Sequence, residues 1–226
     1  MNGPVHENST PHEVLRWAHT EFGPDLVVTV SFADPVLAHL ANEAVPGIEI
    51  VLIDTGYLFA ETSWYADDLR RRFGLNLRTV HPHPDVERDV WQTDTDACCA
   101  ARKVEPLERT LAGKRAWVSG LRRSDGASRA NAPVVHDDLL RGVVKVNPIA
   151  RWTDHDVDSY AAAHQLPAHP LTDRGYPSIG CWPCTRPSTT DDPRGGRWSG
   201  SEKTECGLHV SGGELVGVRR TTGSAS

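Results

Sequence analysis

Short β-rich runs alternate with helical patterns between residues 26 and 165, and this alternation restricts the chain more than any other feature. Leu-Val-Val-Thr-Val at 26–30, Ile-Glu-Ile-Val-Leu-Ile-Asp at 48–54, and the runs at 77–80, 115–120 and 143–146 read as five strands. Helical periodicity fills the gaps at 36–41, 60–73 and 100–111, and again at 152–165. Strands separated by helices predict an α/β fold, with a mostly parallel twisted sheet and helices on both faces. Beyond residue 165 the pattern gives way to a loop-rich C-terminal segment with many Pro and Gly. With 226 residues the expectation is a single α/β domain over 1–209 and a flexible tail over 210–226.

Helix starts are written in the sequence. Thr10-Pro11-His12-Glu13 combines a cap, a proline at the first helical position and a capping-box acid, and Val14, Leu15, Ala18 and Phe22 follow at helical spacing. Thr153 is the expected cap of the last helix.

Composition excludes several classes. A net charge of −6 argues against a nucleic-acid binder working by bulk charge. No apolar run approaches the ~20 residues of a membrane span, and the first ten residues carry no secretory signal pattern.

All five cysteines fall in three places: the adjacent pair Cys98-Cys99, the pair Cys181-Trp182-Pro183-Cys184, and Cys206 alone. An odd count with a vicinal pair does not suit a secreted disulfide framework, so a reducing, cytoplasmic setting is expected. Four cysteines are candidate ligands of one metal centre, and the fifth is a candidate working thiol. Chemistry alone leaves three readings of the four open. They are an iron–sulfur cluster, whose irons are spread widely enough for adjacent thiolates, a zinc ion, or a dithiol redox pair. Cys206 lies three residues after Lys203 and three before His209, with Arg194 and Arg197 upstream. Cationic surroundings raise a thiolate fraction, and Glu205 opposes this if it points the same way.

Two loops at strand ends are candidate ligand sites, because open α/β sheets bind ligands there. Ser31-Phe32-Ala33-Asp34-Pro35 joins a strand to a helix N-terminus and offers amides and a hydroxyl to an anion. Asp54-Thr55-Gly56-Tyr57 ends the second strand. His81-Pro82-His83-Pro84 reads as plain loop.

Taken together, Cys98-Cys99 with the run Arg102-Lys103-Val104-Glu105-Pro106-Leu107, the stretch 175–185 with its Cys181 and Cys184, and Glu205-Cys206-Gly207-Leu208-His209 resemble the assimilatory adenylyl-sulfate reductases of the PAPS/APS reductase family. Leu52, Asp54-Thr55-Gly56 and Gly120-Leu121-Arg122-Arg123 fit the same resemblance, which covers about residues 25–209.

The resemblance implies an adenine-nucleotide α-hydrolase-like fold and reduction of adenylyl sulfate by thioredoxin to sulfite and AMP. It implies a 4Fe-4S cluster on Cys98, Cys99, Cys181 and Cys184, and an S-sulfocysteine on Cys206 within a catalytic segment at about 186–209. Lys103 and His209 take catalytic roles by the same analogy. Ser31, Thr55, Gly56, Arg129, Arg194 and Arg197 are expected around the substrate. Lys103 is expected to mediate between the anionic cluster and the anionic substrate. A mobile lid carrying Cys206 is expected, because one sulfur must face both substrate and thioredoxin. No nucleic acid or membrane partner is expected, and a homo-oligomer is left open. The chain departs from many relatives in its short first loop and in a compressed stretch at 81–97. Relatives specific for PAPS generally lack the four cluster cysteines, which favours APS. The alternatives are PAPS reduction, a same-fold enzyme acting on tRNA, and a nucleotide-binding iron–sulfur sensor without reductase activity.

Overall fold

The computed structural model describes residues 7–189, 192–199, 203 and 205–208, with the backbone of Val210–Ser211 and Glu214–Leu215. Helix α1 (Pro11–Phe22) starts as its sequence dictates. The Glu13 amide donates to Thr10 Oγ1 at 3.3 Å and the Thr10 amide to the Glu13 carboxylate at 2.7 Å. Its Val14, Leu15, Ala18 and Phe22 are buried.

Six strands form the main sheet: β1 (Leu26–Val30), β2 (Ile50–Ile53), β3 (Leu77–Val80), β4 (Ala116–Val118), β5 (Val135–Asp138) and β6 (Val143–Val146). Their order is β3-β2-β1-β4-β6-β5, parallel except for β5, which runs antiparallel to β6. The order reverses between β1 and β4, so the crevice that α/β sheets use for ligands opens beyond their carboxyl ends. Strand β5 is one more than the sequence pattern gave. Its Val-His-Asp-Asp run carries no apolar alternation, which an outermost strand tolerates because one of its edges is unpaired.

Helices cover both faces, but unequally. One face (Val28, Ile50, Leu52, Ala116, Val118, Val146) packs on α1, α2 (Val36–Ala44) and α3 (Ala60–Phe73). Helix α6 (Asp154–Ala163), capped by Thr153, adds Tyr160 at its margin. On the other face, Val27, Val51, Trp117 and Val143 meet Leu107 and Leu111 of one short helix, α5 (Glu105–Leu111), and the half-buried Leu208. Beside them the Lys145 ammonium lies 4.4 Å from the centre of the Trp117 ring, and burial pushes its pKa down to about 7. The C-terminal segment thus completes a face that helices leave thin.

The helix expected over 100–111 begins earlier and is broken. Asp94 caps α4 (Thr95–Cys99), accepting from the Ala97 amide at 2.8 Å, so both cysteines stand inside a helix. A π-helical turn, Ala100–Val104, follows before α5. Pro106 has no N–H to return to the Arg102 carbonyl, which favours a widened turn there. Beyond α6 the described chain holds 3₁₀ turns and loops, then a short antiparallel pair, Val210–Ser211 with Glu214–Leu215. The rest of the expected tail lies outside the described residues. No helix among the described residues is long and apolar enough to cross a membrane.

Candidate active site

Four thiols converge on one small pocket. Cys98 and Cys99 reach it from α4, and Cys181 and Cys184 from the 3₁₀ turn Trp182–Cys184. Thr55, Tyr57, Trp91, Arg102, Lys103 and Pro183 complete the walls. The Trp182 amide donates to the Tyr57 carbonyl at 2.8 Å, and Leu58 bridges Cys181, so the turn is pinned to the loop after β2. Arg102 locks that loop in place. It donates to the Thr55 and Glu87 carbonyls at 3.1 and 2.8 Å and lies 4.6 Å from the Tyr57 ring centre.

All five cysteines are free thiols. Burial pushes the Cys98 and Cys184 thiols up and Cys99 up to about 12. Thiols gathered in a desolvated pocket suit a cationic group that takes the place of their protons. Among the described residues no three of these sulfurs come within 4.8 Å of one another. Sulfurs around one tetrahedral zinc would be about 3.8 Å apart. The set is therefore wide for a single ion and fits a group with several metal atoms.

Cys206 sits beside this pocket in a different field. Enclosure alone would push its thiol up, but the Lys103 ammonium, the Leu208 amide and the Arg197 guanidinium outweigh it and hold the pKa below the ordinary range. Lys103 faces both environments: against the cost of burial, Cys181 and Cys206, then Cys99, hold its proton on firmly. Arg197 arrives through a bridge to Thr185 and packs on Gly180, where a Cβ would collide with its guanidinium. Gly180 is thus required for the approach of Arg197 to the CxxC turn.

Two of the expected substrate arginines serve a different partner in this arrangement. Arg129 grips Glu205 with two hydrogen bonds, at 2.7 and 2.6 Å, and Arg194 lies 3.6 Å from the same carboxylate. Asp125 holds Arg129 from the other side at 2.8 Å. Both Arg129 and Glu205 are buried. Lys203 pairs with Asp96 of α4, so the Cys206 segment is tied at two points. The opposition from Glu205 anticipated at Cys206 is thereby reduced. Nothing in local spacing could reveal a pair 76 residues apart.

The expected loop residues divide. Thr55 is buried and its hydroxyl lies 3.2 Å from Cys181 Sγ, which makes it part of the thiol pocket. Gly56 takes φ +76° in the same turn, where its amide donates to Asp54 at 2.8 Å. Ser31 is exposed after β1, and the α2 N-terminus beside it is capped from within the chain, the Val36 amide donating to Asp34 at 2.9 Å. His209 lies outside the described residues.

A mostly parallel sheet with its crevice at the β1/β4 switch, a four-thiol pocket and a separate thiol of lowered pKa define an open α/β class with a thiol-lined site. The phosphoadenosine phosphosulfate reductase domain matches residues 25–187, and the chain belongs to that family. It is 47% identical to an adenosine 5'-phosphosulfate reductase of Streptomyces coelicolor, over 90% of this chain and 89% of that one. Identity to the protein of the same name from Rhodococcus opacus is 42%, over 91% and 90%. A crystal structure of phosphoadenylyl-sulfate (PAPS) reductase from Candida auris, in a phosphate complex, superposes with a TM-score of 0.69 at 28% identity, covering 79% of this chain and 91% of that one.

Proposed function

We propose that this chain is an adenylyl-sulfate reductase that forms sulfite and AMP at the expense of reduced thioredoxin, in a cytoplasmic, reducing setting. The Cys206 thiolate attacks the sulfate sulfur, the bond from that sulfur to the bridging oxygen breaks, and AMP leaves with the electron pair. A thioredoxin thiolate then attacks Cys206 Sγ, sulfite departs, and the second thioredoxin thiol resolves the mixed disulfide. Two electrons pass from the dithiol to sulfur, and Cys206 is regenerated.

Lys103 and Arg197 stabilise the thiolate first and the sulfate and phosphate oxygens as charge shifts onto AMP. Arg194 and Arg129 serve the same anion when Glu205 yields them, with Ser31 and Gly56 at the nucleotide side and His209 as a proton carrier near Cys206. A 4Fe-4S cluster held by Cys98, Cys99, Cys181 and Cys184 suits the wide, desolvated donor set. When bound, such a cluster takes the place of the thiol protons and adds negative charge beside Lys103. The observation that carries the reading is Lys103, which faces the four-thiol pocket and Cys206 at once.

The test is sulfite release by anaerobically purified protein with reduced thioredoxin, given APS and PAPS in parallel. Sulfite from APS alone, with a sulfo-adduct on Cys206 detected by mass when thioredoxin is withheld, is expected. Sulfite from PAPS alone would reassign the substrate. No sulfite from either, with iron and sulfide present, would leave a nucleotide-binding sensor.

A further inference from the structure

Away from the thiol pocket, at the junction of α1, α2 and α6, three imidazoles surround one carboxylate. His39 and Glu43 are one turn apart on α2 and share a face of that helix. His164 follows the last turn of α6, and His12 reaches in from α1. His39, Glu43 and His164 each offer a ligand atom, and the three atoms lie within 4.8 Å of one another. His12 Nε2 is 3.2 Å from Glu43 Oε2, and His39 Nδ1 is 4.0 Å from the same oxygen.

We propose that His39, Glu43 and His164 bind one divalent transition-metal ion of the zinc class, with His12 beside the carboxylate. Nitrogen and oxygen ligands at zinc's usual bond lengths are about 3.3 Å apart around a tetrahedral ion. The His39–Glu43 distance of 4.0 Å, with the His164 ligand atom within 4.8 Å of both, is near that value, so small side-chain rotations bring the three onto one ion. Two imidazoles with one carboxylate suit zinc, cobalt, nickel or copper, whereas calcium and magnesium prefer oxygen ligands alone.

Tyr160 prepares the site. Its hydroxyl donates to Glu43 Oε2 at 2.8 Å and lies 2.9 Å from His39 Nδ1, spanning the two ligand atoms. Its ring stacks on His164 with centroids 4.1 Å apart, fixing the third ligand. An ion that displaces the His39–Tyr160 contact leaves Tyr160 supporting the carboxylate from behind, the usual arrangement around a metal-bound ligand. His12 and Glu43 remain 31% and 43% exposed, which gives an ion a path from solvent. None of the three ligands lines the thiol pocket. The ion would tie together two helices that cover one face of the sheet.

The experiment is zinc titration of the anaerobically purified full chain against a chromophoric zinc indicator, with the bound ion examined by X-ray absorption. The wild type is expected to take up one equivalent more than Glu43→Gln and His164→Ala. Its zinc should show a nitrogen and oxygen shell without sulfur. Far-ultraviolet circular dichroism confirms that each variant is folded, and Glu43→Gln, conservative and at a 43% exposed side chain, is the variant that disturbs packing least. Equal uptake by wild type and folded variants, no uptake at all, or sulfur in the zinc shell overturns the proposal.

Discussion

Cys99 and Cys206 face the same ammonium, yet their thiols titrate in opposite directions. Cys99 is buried in a helix beside other thiols, and desolvation pushes it up to about 12. Cys206 meets the same kind of burial cost but adds the Leu208 amide and the Arg197 guanidinium to Lys103, and its pKa falls. Dielectric environment and donor count, not residue type, set the two thiols apart. A thiol that burial keeps protonated is inert until a metal takes the proton. A thiol whose pKa is lowered offers more thiolate at a given pH.

The largest effect that this contrast predicts is at Cys206 itself. Cys206→Ser should lower sulfite formation by at least about 10³-fold, since removing a covalent nucleophile costs that much or more. Iron and sulfide content should be unchanged, because the four thiols proposed to hold the cluster are untouched. Loss of iron together with activity would show that the two environments are not separable.

Next comes the anchor of the Cys206 segment. Removing one partner of a buried ion pair typically costs 3–5 kcal/mol, and Asp125 still compensates Arg129, so Glu205→Ala should weaken docking by about 3 kcal/mol. Faster hydrogen exchange around Cys206 would report it, with the α1 to α3 face unaltered. Exchange that rises everywhere would mean that the pair stabilises the whole domain. The substrate reading of Arg129 sharpens here too. If APS competes with Glu205 for the guanidinium, this variant should show a lower KM as well as a lower kcat.

Lys103→Met should cost about 10²-fold in kcat, as for removal of one preorganised charge donor. The pH midpoint of Cys206 alkylation should also rise. The sign follows from the field: with a depressed pKa, Cys206 is thiolate above that value, and deleting the cation moves the thiolate window to higher pH. An unmoved alkylation profile would remove Lys103 from the account.

Much of this arrangement is legible in the chain. Runs such as Leu26–Val30 and Ile50–Ile53 are apolar because both faces of a central parallel strand are covered, and the two Thr caps announce their helices. Strand β5 was illegible because an edge strand with His136, Asp137 and Asp138 carries no alternation. The helix that holds Cys98 and Cys99 was misjudged at its start, since Asp94 is a cap separated from any apolar stripe. The cysteines were readable as a set. Their partners were not: the grip of Arg129 on Glu205 and of Lys203 on Asp96 depends on chain crossings that no spacing encodes. Thr55 was assigned to the substrate by motif, and its burial against Cys181 is a tertiary fact.

That position gives the smallest and finest test of the contrast. The Thr55 hydroxyl touches Cys181 Sγ at 3.2 Å and also accepts from the Tyr57 amide at 3.2 Å. Hydrogen bonds to ligand sulfur tune a thiolate centre, and each is worth about 1 kcal/mol net. Thr55→Val keeps the volume and removes both contacts. It should speed loss of iron in air severalfold, as the bleaching of visible absorption would show, and leave the Cys206 alkylation profile where it was. Were Thr55 mainly a substrate ligand, the order would invert, with KM for APS rising and the bleaching rate fixed. The two outcomes divide cleanly because Thr55 lines the four-thiol pocket, whereas the groups that lower the Cys206 pKa are Lys103, Arg197 and the Leu208 amide.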